Sequence, residues 1–302
     1  MKNILVLLST LLFNCPATDA AGLPAGSKSL NFTVPQSAKK IQVFSYLPPE
    51  ANALTPIVFV LTGLSRDADK YRDAWVENAR KNKLIVIAPY FSQQDYPGSD
   101  SYNLGNIINP QTGKLNPQGE WAFTVIDGLF TEMQKQGITR QKSYYLFGNS
   151  AGCQFVHRML TLMPATKVKA AICAAAGWWT MPNIQTPWPY GLDNAPIAVS
   201  QQQLAHYFAL PVLIAVGGKD NNPNHPLLRR TPQALAQGDS RLQRAKAYFM
   251  AAEQQARHDK VPFNWQFTIL PGVGHSGSKM SAYAAQQFGW FEQHGKFKVQ
   301  DD

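Results

Sequence analysis

Apolar positions along the chain fall into short runs of two kinds. Leu30 to Val34 and Ile41 to Tyr46 alternate apolar and polar residues, as half-buried strands do. Pro56 to Leu61, Leu84 to Ala88, Ser143 to Phe147, Val168 to Ala175 and Pro211 to Val216 are close to continuously apolar, as strands covered on both faces are. Trp265 to Leu270 reads as a last strand. Helical spacing lies between them, over Asp69 to Lys81, Trp121 to Lys135, the segment from Ala151 to Met163, Ser240 to His258 and Ser278 to Gln293. Two leading strands followed by strand and helix in alternation predict an α/β domain. Its sheet is expected to have about eight strands, mostly parallel, with helices on both faces. Two stretches break the pattern. Tyr90 to Gly119 dissolves into loop residues, and the Pro- and Trp-rich insertion from Trp178 to about Leu210 is expected to form a small cap.

The N-terminus differs from the rest. Met1-Lys2-Asn3 is a basic start, Ile4 to Phe13 is an apolar stretch, and Ala17, Ala20, Ala21 and Gly22 are small. This reads as a signal peptide over residues 1–21, too short for a membrane span, leaving a single domain over 22–302. A lipid anchor on Cys15 fits badly, because Asn14 and Pro16 flank it, so no membrane anchor is expected. The protein is therefore expected to be secreted or periplasmic. Export permits a disulfide between the two remaining cysteines, Cys153 and Cys173. The reading preferred from sequence is two small buried hydrophobes. Neither cysteine has the spacing of a metal site, and no metal is expected.

Chemistry enters at Gly148-Asn149-Ser150-Ala151-Gly152, where a strand runs into a helix. A serine at the tip of such a turn is exposed at a strained backbone angle, and side chains on its glycine neighbours would collide with strand and helix. The Ala151 N–H and the helix N-terminus then face the place where an oxyanion forms. In an open α/β sheet the ligand crevice lies outside the carboxyl ends of the strands, so partners for Ser150 are sought there. Asp220 follows the strand ending at Val216, and His275 follows the strand ending at Leu270. The order Ser, Asp, His suits this architecture. His275 is the expected base and Asp220 its orienting carboxylate, ahead of Asp193 and Asp239. His157, His206, His225, His258 and His294 read as surface or core residues, since none sits at a strand's carboxyl end.

The loop after Leu61 should supply a second oxyanion donor, and the Leu64 N–H beside Gly63 is the expected one. On the same loop Arg66, Arg72 and Asp73 are expected to lock the backbone through Arg–Asp pairs. Tyr71 and Trp75 read equally as packing residues or as candidate substrate contacts. Trp178 and Trp179 follow the strand beside Ser150 and should point opposite ways, Trp178 toward the substrate and Trp179 into the core.

These residues resemble the α/β-hydrolase fold, and within it the esterases related to poly(3-hydroxybutyrate) depolymerases. The resemblance spans about Leu30 to Phe291 and rests on the Gly148–Gly152 turn, Gly218-Lys219-Asp220, Gly274-His275 and the Gly63 to Trp75 loop. The chain carries Thr62-Gly63 where such enzymes often have His-Gly, and Asn149 where they often have His. The implied activity is hydrolysis of carboxylic esters, small or polymeric, without a cofactor. Within the same fold the alternatives are a peptidase or acyltransferase, and outside catalysis a binding protein. The formal net charge of +9 comes from scattered basic residues with no basic, aromatic-interleaved stripe, so nucleic acid is not an expected partner.

Overall fold

The continuous apolar runs form the centre of one sheet, and the alternating ones form its edge. In the computed structural model, which describes residues 23, 25–34, 40–163 and 166–298, the strands are β1 (Gly26–Thr33), β2 (Lys40–Leu47), β3 (Ile57–Leu61), β4 (Ile85–Pro89), β5 (Tyr144–Asn149), β6 (Val168–Ala174), β7 (Val212–Gly217) and β8 (Trp265–Leu270). They assemble in the order β1-β2-β4-β3-β5-β6-β7-β8. The pairings of β1 with β2 and of β2 with β4 are antiparallel, and the others are parallel. This is the eight-stranded, mostly parallel sheet expected from the pattern. The segment read as a signal peptide, residues 1–21, lies outside the described residues.

Period-two alternation divides each central strand between two cores. Ile57, Phe59 and Leu61 of β3 face one side with Tyr144, Leu146, Cys173 and Ile214, under α2 (Thr124–Lys135), α3 (Ala151–Leu162), α4 (Gln201–Ala209) and α6 (Arg241–Asp259). Val58 and Val60 face the other side with Tyr145, Phe147, Ile172 and Ala215, under α1 (Ala68–Asn82) and α7 (Gly277–His294). A one-turn helix, α5 (Pro232–Leu235), precedes α6.

Three expectations change here. The insertion is not all cap: its last part is α4, which begins with a Ser200–Gln203 capping box and packs with α3 and α6 as a regular layer helix. The Tyr90–Gly119 loop is held by Arg66, which was expected to pair with an aspartate. Arg66, 2% exposed, donates to the carbonyls of Phe91, Tyr96 and Gly98 and lies over the Tyr102 ring. The Tyr102 hydroxyl in turn donates to Thr62 O at 2.9 Å. Arg66 thus fixes this loop through carbonyls, whereas Arg72 does pair with Asp73 and also donates to Lys28 O and Ser45 O.

The third change concerns the cysteines. Cys153, in the first turn of α3, and Cys173, near the end of β6, are joined as a disulfide with Cα atoms 4.7 Å apart. Strand and helix adjacent in the alternation hold the two residues at bridging distance, which spacing alone does not reveal. The bridge closes a loop of sequence separation 20. Replacing both cysteines by alanine is expected to cost about 3 kcal/mol, lowering the melting temperature by roughly 5–10 °C in a calorimetric comparison.

Candidate active site

The turn between β5 and α3 takes the conformation the glycines permit. Ser150 sits at φ 56°, ψ −114°, a strained angle for a residue with a side chain. A Cβ at Gly148 would come within 2.2 Å of Gly152 O, and one at Gly152 within 2.1 Å of Leu61 O. Neither position admits any larger residue. The Ser150 N–H donates to Ala174 O at 2.8 Å, pinning the turn to the neighbouring strand.

His275 Nε2 lies 3.2 Å from Ser150 Oγ, and His275 Nδ1 lies 2.8 Å from Asp220 Oδ2. Three residues from three loops therefore meet as the sequence order suggested. The loops are tied to each other as well, since Gly218 N–H donates to Leu270 O and Lys219 N–H to Val273 O. Asp193 and Asp239 make no hydrogen bond to His275. Ala151 is the first residue of α3, so its N–H has no acceptor within the helix. The Gly63 backbone lies close to Ser150, because a Cβ built on Gly63 would stand 3.8 Å from Ser150 Cβ. The Leu64 side chain beside it is exposed.

Asp220 has a second partner that sequence reasoning missed. Arg241 Nη1 donates to Asp220 Oδ1 at 3.2 Å, and both side chains are buried. Arg241 opens α6, where the helix dipole disfavours a cation. A buried arginine in that place needs a carboxylate, and that mismatch was the available signal. Burial alone would raise the Asp220 carboxyl, but the hydrogen bond from His275 and the charges of His275 and Arg241 outweigh it and hold it below the ordinary value. The folded pKa is thus lower than the unfolded value of about 3.9, so this contribution to stability is complete above that value and is lost as pH falls through the folded one. Acid unfolding followed by circular dichroism should show a component of its pH slope below about pH 4 that disappears in Asp220→Asn.

His225, read from sequence as an ordinary surface residue, packs edge to face with His275, ring centroids 5.6 Å apart. Its Nδ1 lies 3.4 Å from Arg241 Nη2. Its pKa is lowered, first by desolvation and then by the charges of Arg241 and His275. His157 remains a core residue: Nδ1–H donates to Cys153 O and Nε2 accepts from the Thr180 N–H. It lies beside Cys153 and Cys173 within 4.8 Å, but the cysteines are joined to each other and both ring nitrogens are engaged.

One candidate substrate contact is placed differently from the expectation. Trp178 does not open to the crevice; it is 3% exposed. Its ring packs on Tyr190 and lies 4.0 and 4.7 Å from the guanidinium carbons of Arg158 and Arg229. Adjacent side chains do diverge, because Trp179 stacks on Tyr248 in the main core. What alternation could not foresee is that two arginines distant in sequence cover the outward ring. Tyr71 is half-buried, and its hydroxyl accepts from Asn149 Nδ2 at 2.9 Å. A mainly apolar groove of about 370 Å³ lies between the Tyr90–Gly119 loop and this insertion, lined by Leu104, Ile107, Ile108, Trp188, Pro189 and Pro196 among others.

Sheet order, the turn that carries Ser150 and the loops that carry Asp220 and His275 define an α/β-hydrolase fold. The chain is 36% identical to poly(aspartic acid) hydrolase-1 from Sphingomonas sp. KT-1, covering 87% of this chain and 98% of that one with a TM-score of 0.83. It is 32% identical to LpqC, a poly(3-hydroxybutyrate) depolymerase from Bordetella parapertussis, covering 91% and 93% with a TM-score of 0.82. An S-formylglutathione hydrolase from Agrobacterium tumefaciens, at 15% identity and covering 90% and 96%, shares the fold with a TM-score of 0.54. No protein-family model and no curated protein matches the chain. The chain belongs to the α/β-hydrolase family of esterases and polymer hydrolases represented by the first two of these proteins, and it is a hydrolase of that type.

Proposed function

We propose that this protein is an exported serine hydrolase that cleaves carboxylic esters through an acyl-enzyme on Ser150. The observation that carries the reading is the continuous hydrogen-bonded line from Ser150 Oγ through His275 to the buried Asp220 carboxylate. Ser150 Oγ attacks the acyl carbon while His275 Nε2 takes its proton, and Asp220 stabilises the imidazolium. The carbonyl π electrons move onto oxygen, which the N–H groups of Ala151 and Leu64 receive. Collapse expels the alcohol, protonated by His275, and leaves an ester of Ser150. Water, deprotonated by His275, then repeats the sequence to release the acid and restore the serine. The chemistry calls for no metal or organic cofactor.

A second reading, hydrolysis of an anionic polyamide, draws on a specific feature. Lys219, next to Asp220, and Arg229 and Arg230, shortly after His225 in the same loop, are all exposed cations. Poly(aspartic acid) is the substrate named for the 36% identical relative. For export, a signal peptide over residues 1–21 and the buried Cys153–Cys173 disulfide, which suits an oxidising compartment, are the support.

Initial rates on nitrophenyl esters of increasing chain length, beside a polyester film and poly(aspartic acid), test the proposal. Ester turnover that exceeds polyamide cleavage supports the ester reading. Cleavage of poly(aspartic acid) with negligible ester turnover replaces it with the second.

A further inference from the structure

The three segments that would build the catalytic geometry converge on one oxygen that the mechanism above does not use. Tyr71 projects from the first turns of α1, and its hydroxyl accepts from Asn149 Nδ2 at 2.9 Å. Asn149 is the residue before Ser150, so a shift of its side chain is carried into the serine and the Ala151 N–H. The Gly63 backbone packs against the same hydroxyl, since a Cβ on Gly63 would stand 3.3 Å from it. Gly63 immediately precedes Leu64, the second oxyanion donor. Gly277, two residues after His275, closes the ring: a Cβ there would lie 2.7 Å from the hydroxyl and 3.3 Å from Asn149 Nδ2. The glycines at 63 and 277 are what let both backbones approach the tyrosine.

We infer that Tyr71 is a positioning residue whose hydroxyl fixes the Gly63–Leu64 loop, the Asn149–Ala151 turn and the start of α7 against each other, and so sets the spacing of the oxyanion donors relative to Ser150 and His275. This rests on the serine-hydrolase reading. Asn149 is buried, and its Oδ1 has no partner, so the bond to Tyr71 is what orients its amide. Phenylalanine fills nearly the same volume while removing the acceptor for Asn149 and the polar atom against which the Gly63 backbone packs. Oxyanion donors act only where they are held in advance at the position the developing charge will occupy. Displacements well under 1 Å therefore cost rate without costing substrate affinity. Tyr71 thus serves the reaction without touching the ester.

The test compares wild type, Tyr71→Phe, Asn149→Ala and the double variant. Tyr71→Phe is expected to lower kcat by about 10–100-fold with KM within about two-fold, and to weaken an alkylboronic acid, a mimic of the tetrahedral intermediate, by a similar factor. Asn149→Ala should show a similar loss, and the double variant little more than either, since both break one connection. Amide hydrogen exchange over Thr62 to Ser65 should be faster in Tyr71→Phe, a readout that does not depend on activity. Wild-type kcat, boronate affinity and exchange in Tyr71→Phe would overturn the inference. Failure of a fluorophosphonate to label the wild-type protein would instead defeat the serine-hydrolase reading, and the exchange data would still decide whether Tyr71 holds the loop.

Discussion

Ser150→Ala is expected to reduce kcat/KM for ester hydrolysis by on the order of 10⁴–10⁶ and to leave the protein folded. The rate loss is large because the nucleophile and its base act as a unit, and His275 has nothing to deprotonate once Oγ is gone. Folding should survive because the hydroxyl makes a single contact, to His275 Nε2 at 3.2 Å, at the crevice end of β5. Removing one such hydrogen bond costs about 1 kcal/mol. The backbone strain at φ 56° is shared by serine and alanine, so the substitution neither adds nor relieves it. Steady-state kinetics beside a melting curve checks both halves. More than a few per cent of residual activity in a homogeneous preparation would mean that the turn at Ser150 does not carry the chemistry.

Asp220→Asn should be nearly as damaging to rate, about 10⁴-fold, for a different reason. An amide in that place permits the imidazole tautomer that cannot accept the Ser150 proton. It also leaves Arg241, 2% exposed, without its counter-charge. Breaking a buried pair from one side typically costs about 3–5 kcal/mol, so Asp220→Asn should melt well below wild type. The two effects separate in a double variant. Asp220→Asn with Arg241→Met replaces the stranded cation by an apolar side chain and is expected to recover much of the stability but none of the activity. Asp193→Asn and Asp239→Asn, at carboxylates that make no hydrogen bond to His275, should be close to neutral. A silent Asp220→Asn beside an inactive Asp193→Asn would reverse the assignment of the carboxylate.

What could be read before the structure was what local rules determine. Apolar runs and their periods place all eight strands, because a strand covered on both faces can tolerate few polar residues. Ser150 is legible because Gly148 and Gly152 have a steric reason to be glycine, and Asp220 and His275 because each follows a strand at the crevice end. The parts that were hidden depend on which distant segments meet. Tyr71 and Asn149 are 78 residues apart, and nothing local in either one announces the other. The Cys153–Cys173 bridge needs the relative placement of α3 and β6. Trp178 is shut away by Arg158 and Arg229, neither of them a sequence neighbour. Two features did leave local traces that were passed over. Arg241 stands at a helix N-terminus where its charge is unfavourable, and Ser200-x-x-Gln203 marks the start of α4 inside what read as a cap.

The central claim is that Ser150 is a nucleophile activated by His275 and Asp220. Covalent labelling with a fluorophosphonate, read by intact mass and peptide mapping, addresses it most directly. The account predicts one adduct per chain on the peptide containing Ser150, lost in Ser150→Ala and slowed strongly in His275→Ala. Absence of an adduct on the folded wild-type protein, or labelling that persists unchanged in Ser150→Ala, would contradict it.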